Sequence, residues 1–232
     1  MDIEFRHALI MAAGRGLRMG PLTSVIPKPM APLGGSTLIL KGIRRVRRTI
    51  PFLHITVGYK ARMLADHIIE EGISSIFYTE GKGNAWWIFN TLLANLDEPL
   101  VVLTCDNLVN LDLDKLCRDY HDLGAPACML VPVNPVHGLE GDYIFHENQI
   151  VTGIDRHRPA RLYCSGIQVL DPKKVRNIVT PTEDFYEVWK QLIAQGQVYC
   201  SRVIPERWFS IDSMDALAQA EAFDTDPSWS ET

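Results

Sequence analysis

Residues 8–12 form an uncharged run with no alternation of polar and apolar positions, and the run empties directly into a loop carrying Gly14 and Gly16. A strand of that kind is buried on both faces, which constrains the chain to a mainly parallel sheet covered by helices. The two glycines let the backbone bend sharply with its N–H groups turned outward, as a loop that cradles an anion requires. Arg15, Arg18 and Lys28 bring cationic side chains to the same mouth. Pro27 and Pro29 flank Lys28 and restrict its backbone, which suits a lysine that must meet a charged group in a set place. The loop is therefore predicted to hold phosphates.

Strand and helix signals alternate through the first half of the chain. Helices are predicted over 37–49, 62–70 and 85–96, and strands over 53–59, 73–79 and 99–104, the pattern of βαβ units. The last of these strands is apolar until Thr104 and is expected at the centre of the sheet. A helix over 113–123 and a strand over 127–133 follow. Residues 143–146 and 150–154 then read as a hairpin and 162–170 as another strand, which predicts a second, partly antiparallel sheet. A helix over 185–194, a strand over 197–203 and a helix over 213–223 lead to a polar tail over 224–232, expected to fray. The expected fold is α/β with three layers in αβα order and a mostly parallel sheet.

At 232 residues the chain is long enough for a substantial core in one large α/β domain. A net charge of −5 argues against a general nucleic-acid or anionic-membrane surface. Arg44, Arg45, Arg47 and Arg48 are the local exception and read as a solvated helix face, with Ile43 and Val46 turned inward. Cys105, Cys117, Cys128, Cys164 and Cys200 are scattered, with no Cys-X-X-Cys pair and no histidine at zinc spacing. They read as reduced core residues of a cytosolic protein. The first residues carry acids and lead straight into a strand, so no signal peptide is expected, and no apolar run approaches the roughly 20 residues of a membrane span.

Two familiar glycine motifs fail on spacing. The dinucleotide fingerprint needs a glycine where this chain has Met19, and the P-loop needs Gly-Lys followed by Ser or Thr, which does not occur. What remains is Gly-X-Gly-X-Arg ending at Arg18, then Pro-Leu-Thr over 21–23, then Pro-Lys-Pro over 27–29. This combination resembles the signature of the sugar-phosphate nucleotidyltransferases, with Arg18 and Lys28 at the family spacing. The resemblance implies a Rossmann-like nucleotidyltransferase domain over 1–223, with a small, partly antiparallel lid sheet and the acceptor region at about 134–205. It also implies transfer of a nucleoside monophosphate from a nucleoside triphosphate to a sugar 1-phosphate or related phosphorylated alcohol. The products are an NDP-sugar or NDP-alcohol and pyrophosphate, made in the cytoplasm with Mg²⁺ as cofactor.

Such a reaction joins two anions, so charge neutralisation is its central problem. The attacking phosphate is already a nucleophile at neutral pH, and catalysis is expected from in-line positioning, cations and a divalent metal. The residues expected to carry it are Arg18, Lys28 and Asp106, with loop amides at Ala12, Ala13, Gly14 and Gly16 on the nucleotide. Asp106 follows the carboxyl end of a buried strand, where open α/β sheets place their ligand sites. It reads as a metal ligand or a cap of the next turn, with Cys105 where the family usually has glycine. Asp112 and Asp114 read as helix-capping acids.

The resemblance implies a second metal carboxylate near the end of the chain, within 208–213. There Ser210 stands where the usual acid would be, and Asp212 matches an extra acid of the phospho-alcohol branch. Asp212 is expected as the second ligand, the alternative being an N-cap of the helix beginning at Ser213. Gly83 and Asn84, in Lys-Gly-Asn-Ala followed by tryptophans, look like base-recognition residues of cytidylyltransferases; the alternative is an Asn cap with Trp86 as core filler. Arg156 or Arg158 would replace the family's second lysine on the acceptor phosphate. Gly141, Asp142, Gly166 in the run 164–166, and Glu183 or Asp184 are further acceptor candidates. Two alternatives stand beside the general reading: a CTP-specific phospho-alcohol cytidylyltransferase, and a catalytically silent nucleotide-binding subunit made credible by Ser210.

Overall fold

The computed structural model describes residues 4–136 and 141–224. Its strands are β1 (His7–Ala12), β2 (Pro32–Leu33), β3 (Ser36–Thr37), β4 (Phe52–Val57), β5 (Ser75–Tyr78), β6 (Leu100–Thr104), β7 (Asn107–Asn110), β8 (Cys128–Val133), β9 (Tyr143–Glu147), β10 (Ile150–Asp155), β11 (Tyr163–Leu170), β12 (Val198–Cys200) and β13 (Arg207–Ser210). The helices are α1 (Leu22–Val25), α2 (Leu38–Arg47), α3 (Ala61–Ile68), α4 (Trp86–Asn90), α5 (Leu113–Asp122), α6 (Pro172–Ile178), α7 (Phe185–Ala194) and α8 (Met214–Asp224). The polar tail beyond Asp224 lies outside the described residues.

One nine-stranded sheet runs in the order β5-β4-β1-β6-β11-β8-β12-β10-β9. Strands β5, β4, β1 and β6 are mutually parallel, with Ala8 level with Leu53 on one side and Val101 on the other. Their carboxyl ends therefore open onto one rim. Strand β11 runs antiparallel to both β6 and β8. The expected hairpin forms as β9 and β10, turning at Asn148 and Gln149, both with positive φ as a tight two-residue hairpin demands. It pairs with β12, so the hairpin and 162–170, expected to form a second sheet, instead belong to the main sheet, the hairpin extending its far edge. The separate antiparallel sheets are the pairs β7–β13 and β2–β3.

Two apolar layers cover the sheet, and a third cluster positions the site. On one face Ile10, Ile55 and Val101 pack with Ile39, Ile43 and Val46 of α2, Leu64 of α3 and Leu116 of α5. On the other, Leu9, Leu100 and Leu130 meet Trp87 of α4, Val175 of α6 and Val188 of α7. Each such side chain contributes about 1.5–3 kcal/mol on burial. In α2 the buried positions 39, 43 and 46 recur at helical spacing, while Arg44, Arg47 and Arg48 face solvent as expected. The third cluster packs Ile211, Leu217 and Ala220 against Met19, Leu33, Leu38 and Leu108. It docks the end of the chain beside the glycine loop.

Several elements differ from expectation for identifiable reasons. The helix predicted over 85–96 ends at Asn90, because the Thr91 hydroxyl donates to the Trp87 carbonyl (2.8 Å) and accepts from the Leu93 amide, starting a tighter turn. Strand β4 stops at Val57, where Gly58 crosses Ala13: a Cβ on Gly58 would lie 2.6 Å from the Ala13 carbonyl oxygen. Strands β7 and β13 are too short to show a period, and they form because Asn107 and Ser210 meet as cross-strand partners. The five cysteines are free thiols, with Cys117, Cys128 and Cys200 buried.

Candidate active site

Strand β1 delivers the chain to the glycine loop at the open rim. Gly16 adopts φ +61°, and a Cβ there would meet Lys28 Cβ at 2.7 Å and Cδ at 3.0 Å. The glycine is thus the roof over the aliphatic stem of Lys28, a role no residue with a side chain could take. The Thr23 hydroxyl donates to the Gly16 carbonyl (3.2 Å) and ties the following α1 segment to the loop. From β4, the Tyr59 amide donates to the Ala13 carbonyl (3.0 Å), and its hydroxyl donates to the Thr23 carbonyl (2.9 Å). Lys60 Nζ donates to the Ser24 and Val25 carbonyls, and the Arg15 guanidinium sits 5.3 Å over the Tyr59 ring.

The loop forms one wall of a cleft of about 990 Å³. Among the residues predicted from sequence, Ala13, Gly14, Gly16, Arg18 and Lys28 line it on this side. Asp106 and Asp212 line the floor, and Gly83 and Asn84 the opposite wall. Ala12 does not line it: the residue is buried, and its amide is taken by the Thr56 hydroxyl at 3.2 Å.

Lys28 is the centre of the charge arrangement and is only 8% exposed. Its Nζ donates to Asp106 Oδ2 at 2.7 Å and to Asp212 Oδ1 at 3.0 Å. Arg18 Nη2 lies 3.3 Å from the other oxygen of Asp212, and the Ser210 hydroxyl donates to that same oxygen at 3.3 Å. Burial opposes the charge on Lys28, but the facing carboxylates more than offset it and hold its pKa above the ordinary lysine value. Burial likewise opposes ionisation of Asp212, and Lys28, Arg18 and Ser210 reverse that and hold its pKa low. Cys105, next to this group, has its thiol pushed up by burial and then by the Asp106 charge, so it stays protonated and is no nucleophile.

Both carboxylates face Lys28, which removes the capping alternative for each. Asp212 does not cap α8, because the Ser213 hydroxyl accepts from the Ala216 amide instead. Asp106 makes its side-chain bond to Lys28, while its backbone carbonyl accepts from the Ile211 amide at 2.9 Å. Asp112 caps α5 as expected, accepting from the Lys115 amide at 2.8 Å. Among the described residues no three acidic, histidine or cysteine side chains gather at metal-binding distances. The side chains here that could hold a cation are Asp106 and Asp212, whose carboxylate oxygens both reach Lys28 Nζ and are hard ligands of the kind Mg²⁺ takes.

The wall around Asn84 is built by α7. Asn84 Oδ1 accepts from the Phe185 amide (2.9 Å), the Gly83 amide donates to Glu183 Oε2 (3.0 Å), and the Ala85 amide donates to the Glu183 carbonyl (2.9 Å). Asn84 therefore meets the first amide of the neighbouring helix, whose N-cap is Asp184, and presents its Nδ2 group and the second lone pair of Oδ1 to a ligand. Glu183 supports this wall without lining the cleft. The core tryptophan is Trp87, while Trp86 is half-buried under Lys82 Nζ at 5.6 Å.

The remaining acceptor candidates lie elsewhere. Arg156 forms a two-bond pair with Asp142 (3.0 and 3.2 Å) away from the residues that line the cleft, so an expected phosphate contact and an expected acceptor-pocket residue engage one another. Arg158 stacks over Phe145 at 3.7 Å, held by the turn in which Asp155 accepts the His157 and Arg158 amides. Gly141 packs beneath Tyr163, and Gly166, at φ +83°, lies against Thr104 and Asn107 behind the floor. Tyr59, Lys60 and Thr56 were not singled out by sequence. Their signal is positional: Gly58-Tyr59-Lys60 directly follows a buried strand at the open rim.

The sequence profile of the nucleotidyl transferase family matches residues 7–153. The chain belongs to the nucleotidyl transferase family. A mannose-1-phosphate guanyltransferase of Candida albicans is 25% identical over 207 residues, covering 82% of this chain and 57% of its own length. The bifunctional protein GlmU of Methanococcus aeolicus is 28% identical over 115 residues, covering 48% of this chain and 27% of its own. This member of the family thus spans between about a quarter and a little over half of those curated relatives. In structure it superposes on a CTP:phosphocholine cytidylyltransferase from Streptococcus pneumoniae with a TM-score of 0.75, covering 94% of this chain and 99% of the other at 20% identity. That likeness concerns the fold. No helix among the described residues is long and apolar enough to cross a membrane.

Proposed function

We propose that this nucleotidyl transferase carries a nucleoside monophosphate from a nucleoside triphosphate to the phosphate of a sugar or related alcohol. The observation that carries the reading is Lys28, charged and buried between Asp106 and Asp212 beneath a glycine loop at the open rim of the sheet. An acceptor phosphate oxygen attacks the α-phosphorus, a P–O bond forms, and the bond to the β-phosphate bridging oxygen breaks to release pyrophosphate. Loop amides from Ala13 to Gly16 orient the triphosphate, and Arg18 and Lys28 neutralise charge where it accumulates. Asp106 and Asp212 would hold a divalent metal such as Mg²⁺, which supplies further charge neutralisation when bound. No proton need leave the acceptor phosphate, which fits a cleft whose Cys105 thiol stays protonated.

The test is pyrophosphate release with CTP, GTP, UTP and dTTP against a panel of sugar 1-phosphates and phospho-alcohols. One triphosphate with one acceptor class is expected to turn over. Binding of a triphosphate with no pyrophosphate from any acceptor would favour a nucleotide-binding subunit instead. A second reading, a CTP-specific enzyme for a phospho-alcohol, is supported by Asp212, the acid of that branch, standing on Lys28 while Ser210 only steadies it. Turnover confined to CTP and a phospho-alcohol would select it.

A further inference from the structure

Lys28 occupies the place where the two carboxylates converge, and its stem cannot leave. Its backbone lies between Pro27 and Pro29, and Gly16 roofs the stem so closely that a single added methyl would strike Cβ and Cδ. The ammonium is left with small movements about its last torsions, within reach of Asp106 and Asp212. The positive charge already neutralises these carboxylates, and Arg18 stands on the outer oxygen of Asp212. A free dication approaching the pair meets a fixed ammonium a few ångströms away on a buried stem, where like charges repel more strongly than in bulk water. A metal arriving with a triphosphate brings several negative charges that satisfy Lys28 and Arg18 while the carboxylates turn to the metal.

We propose that Lys28 is a built-in counter-ion that makes metal occupancy conditional on the nucleotide: it keeps a free divalent cation off Asp106 and Asp212 and admits one only together with a triphosphate. The inference rests on the reading of these two carboxylates as the metal ligands. It assigns Lys28 a gating role before chemistry, separate from charge stabilisation during transfer. The site thereby avoids holding a metal in a geometry set without substrate.

The test uses Mn²⁺ as the probe and reads binding, not turnover. In the wild-type chain, Mn²⁺ alone is expected to leave the melting temperature unchanged and to give no protein-bound Mn²⁺ signal by electron paramagnetic resonance. Adding CTP, GTP, UTP or dTTP in turn, without acceptor, is expected to produce that signal with one of them, and Asp106→Asn is expected to remove it. Lys28→Met, close in shape and uncharged, is expected to bind Mn²⁺ alone at least tenfold more tightly than wild type and to melt higher when it is added. Equal or weaker binding by the folded Lys28→Met variant overturns the gate. The wild-type measurement is independent of that variant's folding: binding of Mn²⁺ alone, lost in Asp106→Asn, also overturns it while leaving the ligand assignment intact. Nucleotide-dependent Mn²⁺ binding that survives Asp106→Asn and Asp212→Asn overturns the ligand assignment itself.

Discussion

At the carboxyl ends of β1 and β6, Lys28 stays charged between Asp106 and Asp212, whereas at the amino ends of β1 and β4 the imidazoles of His7 and His54 are held neutral. The histidine rings stack at 5.4 Å, His7 Nδ1 and His54 Nε2 share a hydrogen bond of 3.1 Å, and Ser75 closes the chain at 2.8 Å from His54 Nδ1. Burial and then the neighbouring His7 push His54 down to about 4; burial also lowers His7, with Glu98 opposing weakly from 3.7 Å. Both ends of this parallel set of strands bury titratable groups. The difference is the number of opposite charges supplied, two close carboxylates at one end and one half-exposed carboxylate at the other. Burial decides protonation where partners are few, and partners decide it where they are close.

The largest break in this comparison is expected from Asp106→Asn. Lys28 keeps one carboxylate and the chain still folds, but pyrophosphate release should fall by roughly 100-fold or more. An Asp106→Asn enzyme with wild-type turnover would remove Asp106 from the machinery. Next is Gly16→Ala, which forces a side chain into the left-handed region and onto the Lys28 stem. It should cost about 1–3 kcal/mol of stability, read as a lower urea midpoint, and should weaken triphosphate binding in the same variant.

The histidine end answers to pH. His54 has a folded pKa below its unfolded value, so the stability its neutral form contributes is complete above about pH 6.5 and is lost as pH falls from there toward about 4. After discounting for solvent screening, the loss between pH 7.5 and 5 should be about 1 kcal/mol, and His54→Gln should flatten the profile. Asp212, held low, contributes above its ordinary 3.8 and is lost only below that, so the two ends titrate in separate windows. An unflattened His54→Gln profile would show that another group carries the acid response. The smallest effect belongs to Arg156→Ala, which removes an exposed pair with Asp142. Stability should change by less than about 1 kcal/mol, and triphosphate affinity should stay within about twofold, both measurable in one thermal titration.

The legible parts of this protein were those in which chemistry and spacing coincide over a short stretch. Residues 8–12, with their unbroken apolarity, announced a buried parallel strand, and the period of buried residues in α2 separated its core face from its arginines. Asp106 was visible because it stands at the end of a buried strand. The cleft wall around Asn84 was only half visible: Gly83 and Asn84 do line the cleft, but Asn84 spends Oδ1 on Phe185, a residue 101 positions away. The partners of the acceptor arginines were not legible, because a charged residue on a hairpin gives no sign of which neighbour it will meet, and Arg156 found Asp142. Tyr59 and Lys60 were overlooked because their partners are backbone carbonyls, which leave no trace in a pattern of side chains.

The sequence by itself determined the α/β layering, the glycine loop with its cations and the family, since each depends on local periodicity or on a short motif whose residues act together. Only the tertiary structure decided that Lys28 would stand between Asp106, 78 residues on, and Asp212, 184 residues on. That meeting depends on the β7–β13 pairing and on Ile211, Leu217 and Ala220 docking beside Met19 and Leu33. Such contacts form because packing the whole core brings distant segments together, and no periodicity along the chain records it.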